Sequence, residues 1–250
     1  MQCEIQSSGL RLSGFLAEPP AAVATPTPGL ILCHGFPAGP GGAATSGQTY
    51  PELAERLAAD TGWVVLAFNF RGTGTSEGNF SLSGWLDDLR AAIDHLLGTG
   101  VSGAWLLGSS TGGALAICQA GEDERVRGVA TLSARADFDD WAADPDRLLE
   151  HARTIGVIRD RTFPPDPAAW GRELREIRPT ALIGKIPPRP VLLVHGAMDD
   201  TVPLEDARVL ADAAGDAVEL RVLAEAGHRL RHDPRAVALV IGWMERQTSR

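Results

Sequence analysis

Gly108-Ser109-Ser110-Thr111-Gly112-Gly113 is the stretch of this sequence with the clearest chemical content. It follows the apolar run Trp105-Leu106-Leu107 and precedes an apolar helical stretch beginning at Ala114. Gly-x-Ser-x-Gly between a strand and a helix places its central residue, Ser110, on a sharp turn with the hydroxyl projecting. Side chains at Gly108 and Gly112 would collide with the neighbouring strand and helix. The helix that follows aims its first amides at an oxygen that becomes negative during attack. A serine hydroxyl is a weak nucleophile until a base takes its proton. Ser109 lies outside the central position and is not the candidate.

The elements that must hold this turn follow from the apolar pattern. Residues 2–18 alternate around Ser8-Gly9 and read as a hairpin. Thr25-Pro26-Thr27-Pro28 reads as a connecting loop. Gly29–Cys33, Trp63–Phe68, Ala104–Leu107, Val126–Leu132 and Val191–Val194 are short continuous apolar runs, the mark of strands buried on both faces. Val218–Leu223 is a sixth, less clean case. Helical periods lie between them at Tyr50–Ala59, Trp85–Leu97, Ala114–Ala120 and Glu205–Ala214, with a last helix starting at Pro234. This alternation predicts an α/β fold with a mostly parallel sheet covered on both faces and the hairpin at one edge. Residues 135–188 break the rhythm. They are twice the length of an ordinary crossover and carry Trp141, Phe163 and Trp170 with two helical stretches. They are expected to form a small cap over the carboxyl ends of the strands, inserted into a core domain of residues 1–134 and 189–250. The three aromatic residues are candidate linings for a substrate pocket, with packing inside the cap as the competing explanation.

Composition narrows the partners. The 250 residues are 44% hydrophobic and 22% charged, ordinary values for a folded domain. A net charge of −9 with no basic run argues against nucleic acid. Lys185 is the single lysine and is followed by Ile186, so no phosphate-binding P-loop exists. No apolar stretch is long enough for a membrane span, and the N-terminus lacks the basic and apolar regions of a signal peptide. Three cysteines, Cys3, Cys33 and Cys118, suit thiols in a reducing cytoplasm. A cytoplasmic location is therefore expected, and a homodimer stays open.

Five landmarks in order resemble the α/β-hydrolase superfamily across essentially the full chain. They are the serine turn; His34-Gly35-Phe36 after the first central strand; Arg71-Gly72-Thr73-Gly74-Thr75-Ser76; His195-Gly196-Ala197-Met198-Asp199-Asp200-Thr201-Val202-Pro203; and Gly227-His228. The resemblance implies an α/β-hydrolase fold and a triad in the chain order Ser110, Asp199, His228. His228 would serve as base, and Asp199 would fix its tautomer and stabilise the imidazolium. It also implies an oxyanion hole made by the backbone N–H groups of Thr111 and Phe36.

Rivals exist for several roles. Asp200 and Asp137 compete with Asp199 as the acid, although spacing to Val202-Pro203 favours Asp199. His228 and His232 are four residues apart, but no accompanying carboxylate makes a helical zinc motif, so no metal is expected. His34 and His195 read as structural, Cys33 and Cys118 as buried hydrophobes, and Arg71 as an ion-paired anchor of its turn. The expected activity is hydrolysis of carboxylic esters of small molecules through an acyl-enzyme, without a cofactor. Peptide or amide cleavage of the acylaminoacyl-peptidase kind, and a non-catalytic binder on the same fold, are the alternatives.

Overall fold

Alternating and uninterrupted apolar runs become different kinds of strand. In the computed structural model, residues 1–20, 27–39 and 41–248 are described. β1 (Gln2–Ser7) and β2 (Leu10–Ala17) pair antiparallel through a turn at Ser8 and Gly9, both at positive φ, as a tight hairpin turn requires. β3 (Gly29–Cys33) and β7 (Val191–Gly196) are buried at every residue. β4 (Val64–Phe68), β5 (Ala104–Ser109) and β6 (Val126–Leu132) are nearly so. β8 (Val218–Leu223) is half exposed because it ends the sheet, which explains its less clean apolar pattern. The eight strands run in the order β1-β2-β4-β3-β5-β6-β7-β8, with β1, β2 and β4 antiparallel in succession and all other pairs parallel.

Parallel neighbours need crossovers, supplied here by α1 (Gly42–Thr45), α2 (Tyr50–Thr61), α3 (Leu82–Gly98) and α4 (Thr111–Glu122) before the long connection. Alternate strand residues sort the core into two layers. Leu30, Leu32, Val65, Ala67, Leu192 and Val194 pack against α2 and the last helix. Ile31, Cys33, Leu66, Phe68, Leu106 and Val129 pack against α3 and α4. α3 starts at Leu82, three residues before the apolar period, because the Ser81 hydroxyl caps it by accepting from Gly84 N–H at 3.0 Å. α4 starts at Thr111, so Gly112 and Gly113 are helical rather than part of the turn. Of the expected 25–28 loop, Thr25 and Pro26 lie outside the described residues.

The connection over 135–188 holds α5 (Asp139–Ala143), α6 (Pro145–Ile155), α7 (Pro167–Glu176) and α8 (Pro179–Leu182), more helix than the two stretches legible in sequence. Its apolar residues Phe138, Leu149, Ile155, Trp170, Leu174, Ile183 and Ile186 join the same buried cluster as the sheet and α3. Polar ties reinforce that continuity. The Glu173 carboxylate accepts from Leu82 N–H at 2.9 Å and from the Ser83 hydroxyl at the start of α3, and the Arg159 guanidinium donates to the carbonyls of Gly72, Gly74 and Ser76. α9 (Leu204–Ala214) and α10 (Pro234–Thr248) complete the fold. Among the described residues, no helix is long and apolar enough to cross a membrane.

Arg71 anchors its turn as expected. Its Nη2 donates to Asp88 Oδ1 at 2.7 Å, its backbone N–H donates to Oδ2 at 2.8 Å, and the Ser7 hydroxyl donates to Oδ1 at 2.7 Å. The Asp88 side chain is fully buried, and this complete set of donors is what makes a buried carboxylate tolerable.

Candidate active site

Steric necessity fixes the serine turn. Ser110 follows β5 at φ 51°, ψ −121°, a strained region for a residue with a side chain. Its N–H donates to Leu132 O at 2.9 Å and its carbonyl accepts from Ala114 N–H at 3.0 Å, so strand β6 and helix α4 hold the strain in place. A Cβ on Gly108 would lie 2.4 Å from Gly112 O, and one on Gly112 would lie 2.3 Å from His34 O. Both contacts are with backbone, so only glycine fits. Thr111 is the first residue of α4, and its amide therefore has no partner within the helix.

The structure brings Asp199 and His228 together from two separate loops. His228 Nδ1–H donates to the Asp199 carboxylate, at 2.9 Å from Oδ2 and 3.0 Å from Oδ1. The Asp199 side chain is fully buried, whereas the His228 side chain is 23% exposed. Burial alone pushes the Asp199 carboxyl up. The hydrogen bond from His228, the N–H groups of Val202 and Thr201, and the nearby Ser133 hydroxyl together outweigh it and hold the pKa at about 2. Asp199 is thus ionised at neutral pH, its two oxygens keep Nδ1 protonated, and Nε2 is left as the acceptor nitrogen.

Ser110, Thr111, Phe36 and His228 line one cavity of about 810 Å³, together with Trp141. Trp141 packs against Phe36 with ring centroids 5.0 Å apart. The structure does not bring Phe163 or Trp170 into that lining. Trp170 is buried in the core, where its Nε1–H donates to Phe80 O at 3.2 Å. Phe163 packs against the same cluster from its edge. Apolar bulk marked all three aromatic residues for burial, but only Trp141 is also turned toward the serine.

The rivals have other partners. Asp200 sits at the exposed rim, accepting from the Thr201 hydroxyl, and Asp137 accepts from Asp139 N–H at the start of α5. His34 is buried, which lowers its pKa to about 4 and leaves the ring neutral. Its Nδ1–H donates to Gly35 O at 2.8 Å and Nε2 accepts from Phe70 N–H at 3.2 Å, which ties the segment carrying Phe36 to the Arg71 turn. His195 Nε2–H donates to Val202 O at 2.9 Å and so shapes the Asp199 loop. Burial pushes the thiols of Cys33 and Cys118 up, away from reactivity. No cluster of three or more His, Cys, Asp or Glu side chains suited to a metal occurs among the described residues.

Sequence reading missed the rest of the lining. Arg135 stacks over Trp141 at 4.9 Å from the ring centroid, and His151 faces the same space. On the other side of Ser110 the cavity continues into a polar lobe of about 300 Å³ that includes Ser46, Tyr50, Ser109, Arg229 and Arg231. Tyr50 and Arg231 are remote in sequence and follow no motif, so only their contact, with the guanidinium 5.1 Å from the tyrosine ring centroid, shows that they act in one place.

Comparisons with known proteins agree with this architecture. The uncharacterized protein YfhR of Escherichia coli strain K12 is 25% identical over 167 residues, which is 66% of this chain and 52% of the relative. The chain thus spans about half the length of the curated relatives it matches. The crystal structure of the α/β hydrolase GrgF from Penicillium sp. sh18 superposes with a TM-score of 0.76 at 19% identity, covering 100% of this chain and 99% of that one. The esterase domain of a Rhodothermus marinus protein gives a TM-score of 0.68 at 24% identity, covering 99% and 97%. These likenesses concern the fold. The "Alpha/beta hydrolase family" pattern matches residues 30–240, and by that match the chain belongs to the α/β-hydrolase family.

Proposed function

We propose that this protein is a serine hydrolase that cleaves carboxylic esters of small molecules through an acyl-enzyme. One observation carries the reading: Asp199 fixes the His228 ring through Nδ1, so that Nε2 is the basic nitrogen of a side chain lining the same cavity as Ser110. In the first step Ser110 Oγ bonds to the ester carbonyl carbon while its proton passes to His228 Nε2. The oxygen that becomes negative is met by the N–H groups of Thr111 and Phe36. The intermediate collapses with loss of the alcohol, which takes the proton back from Nε2. Water then attacks the acyl-enzyme with the same nitrogen as base, releasing the acid and restoring Ser110. Asp199 stays ionised throughout and stabilises the imidazolium.

The connection over 135–188 acts as a roof whose Trp141, with Phe36, presents apolar surface to the acyl or aryl group. An ester is the substrate class in keeping with the Rhodothermus marinus esterase domain, whose fold this chain shares. The test is labelling by a fluorophosphonate beside turnover of p-nitrophenyl esters from acetate to palmitate. Labelling at Ser110 with ester turnover is expected. No labelling and no turnover, in a folded protein, overturns the reading.

A further inference from the structure

The polar lobe beside Ser110 carries charge unlike its surroundings. On a chain of net charge −9, its lining includes Arg229 and Arg231 and no aspartate or glutamate. Several arginines elsewhere have carboxylate partners, among them Arg71 with Asp88, Arg125 with Asp94 and Asp123, and Arg235 with Asp233, and others such as Arg153, Arg159 and Arg189 are spent on backbone carbonyls. Arg229 and Arg231 make no ion pair among the described residues. Arg231 is half-buried, held by a hydrogen bond from Nη1 to the Thr49 hydroxyl and by its stack on Tyr50. Glu52 shares a neighbouring surface groove with Arg231 but forms no ion pair with it.

Arg231 is partly open to solvent and has no carboxylate partner among the described residues, so its guanidinium is available to an incoming anion. Its planar fork suits a carboxylate, which it can grip with two hydrogen bonds. The hydroxyls of Ser46, Tyr50 and Ser109 add neutral hydrogen-bonding groups around the same space. His34, at the inner wall, is kept neutral by burial and by the nearby Arg231 charge, so the positive field comes from the two arginines. Ser110 and His228 line this lobe as well as the larger one. A molecule whose ester lies at Ser110 can therefore place a second group in this lobe.

Resting on the ester-hydrolase reading, we propose that the substrate carries a carboxylate and that Arg231, with Arg229 at the mouth, binds it in the polar lobe. The carboxylate can sit on the acid half or the alcohol half of the ester, and two substrate pairs separate these sources. Mono-p-nitrophenyl adipate is compared with its methyl ester for the acid half. The acetate ester of 4-hydroxybenzoate is compared with that of methyl 4-hydroxybenzoate for the alcohol half. In at least one pair kcat/KM for the charged member is expected to exceed that of its neutral partner by about tenfold, equivalent to about 1.4 kcal/mol. Arg231→Gln should cut that ratio at least about fivefold, Arg229→Gln less, and Arg231→Lys should restore part of it. The charged member's advantage should also shrink with added salt, as a partly exposed charge pair does.

Equal or poorer turnover of the charged member in both pairs overturns the proposal, as does a ratio unmoved by both glutamine variants. If Arg231→Gln does not fold, the Arg229→Gln ratio and the salt dependence decide. Fluorophosphonate labelling of Ser110 with turnover of neutral esters alone sinks this proposal and leaves the hydrolase reading standing. Absence of both labelling and turnover sinks the two together.

Discussion

The serine turn and the 135–188 connection border the same cavity but are held by different physics. At the turn, backbone packs on backbone: Gly108 and Gly112 leave no room for a methyl group, and the Ser110 strain is clamped by β6 and α4. The connection is held by side chains that reach far along the chain, such as Glu173 at the start of α3 and Arg159 on the Gly72–Ser76 carbonyls. The first kind of restraint tolerates no variation in position. The second can hold a surface in place while leaving its composition free, a division that the proposed function would use for a catalytic floor and a substrate-fitting roof.

Mutation should expose that contrast in activity first. Ser110→Ala is expected to remove ester turnover by about 10⁶-fold without unfolding the protein, the scale reached when a triad nucleophile is lost. Trp141→Ala, on the roof, should cost only about tenfold to a hundredfold in kcat/KM and should act mainly on the preference among acyl chains. Near-equal losses in p-nitrophenyl ester assays would erase the distinction. Asp199→Asn should lower kcat by about 10⁴, because it supports the wrong tautomer of His228. A loss below about tenfold would remove Asp199 from its role.

Glycine substitutions put the same contrast into stability. Gly112→Ala forces a methyl group against the carbonyls of His34 and Cys33 at 2.3 and 2.5 Å and should destabilise by about 3 kcal/mol, read by urea unfolding. Gly171→Ala, inside α7, meets only Pro145 at 3.4 Å. It should instead raise stability by about 0.5–1 kcal/mol through helix propensity. Equal signs for the two would refute the distinction between backbone and side-chain restraint.

Acid should separate the regions by sign. The Asp199 carboxyl is held at about 2 in the folded protein against about 3.9 unfolded. Its contribution is complete above about pH 4 and drains away as pH falls from about 4 toward 2. Glu173 moves the other way: burial raises its carboxyl above the ordinary range. The folded state holds that proton more tightly, so its contribution grows as pH falls through the raised value. Denaturant unfolding of Glu173→Gln against wild type across pH 7 to 3 should show the gain on acidification missing in the variant. Parallel curves would refute the assignment.

These differences also explain what the sequence made legible. The sheet was readable because strands buried on both faces are uninterrupted apolar runs, and the serine turn because its serine and glycines stand within six consecutive residues. Val218–Leu223 read less cleanly for a reason now visible, its place at the sheet edge. Phe163 and Trp170 misled because hydrophobicity reports burial but not direction. Trp170 faces Phe80, and its indole N–H is satisfied there. The polar lobe left no trace because Tyr50 and Arg231 meet only after the strands that carry their loops are ordered. The Asp199–His228 pair was legible only through the resemblance of its two loop motifs to the α/β-hydrolase pattern, since its hydrogen bond joins residues 29 apart in sequence.

The unbroken apolar cluster that joins Phe138, Leu149, Trp170 and Leu174 to the sheet has a consequence for how the protein fails. A roof with its own small core would come loose below the temperature at which the sheet melts. This one shares its cooperative unit with α3 and the central strands. Amide protons of α6 and α7 should therefore exchange with solvent at a free energy near that of global unfolding. On heating, inactivation and unfolding should coincide, and the pocket should keep its shape until the whole fold gives way.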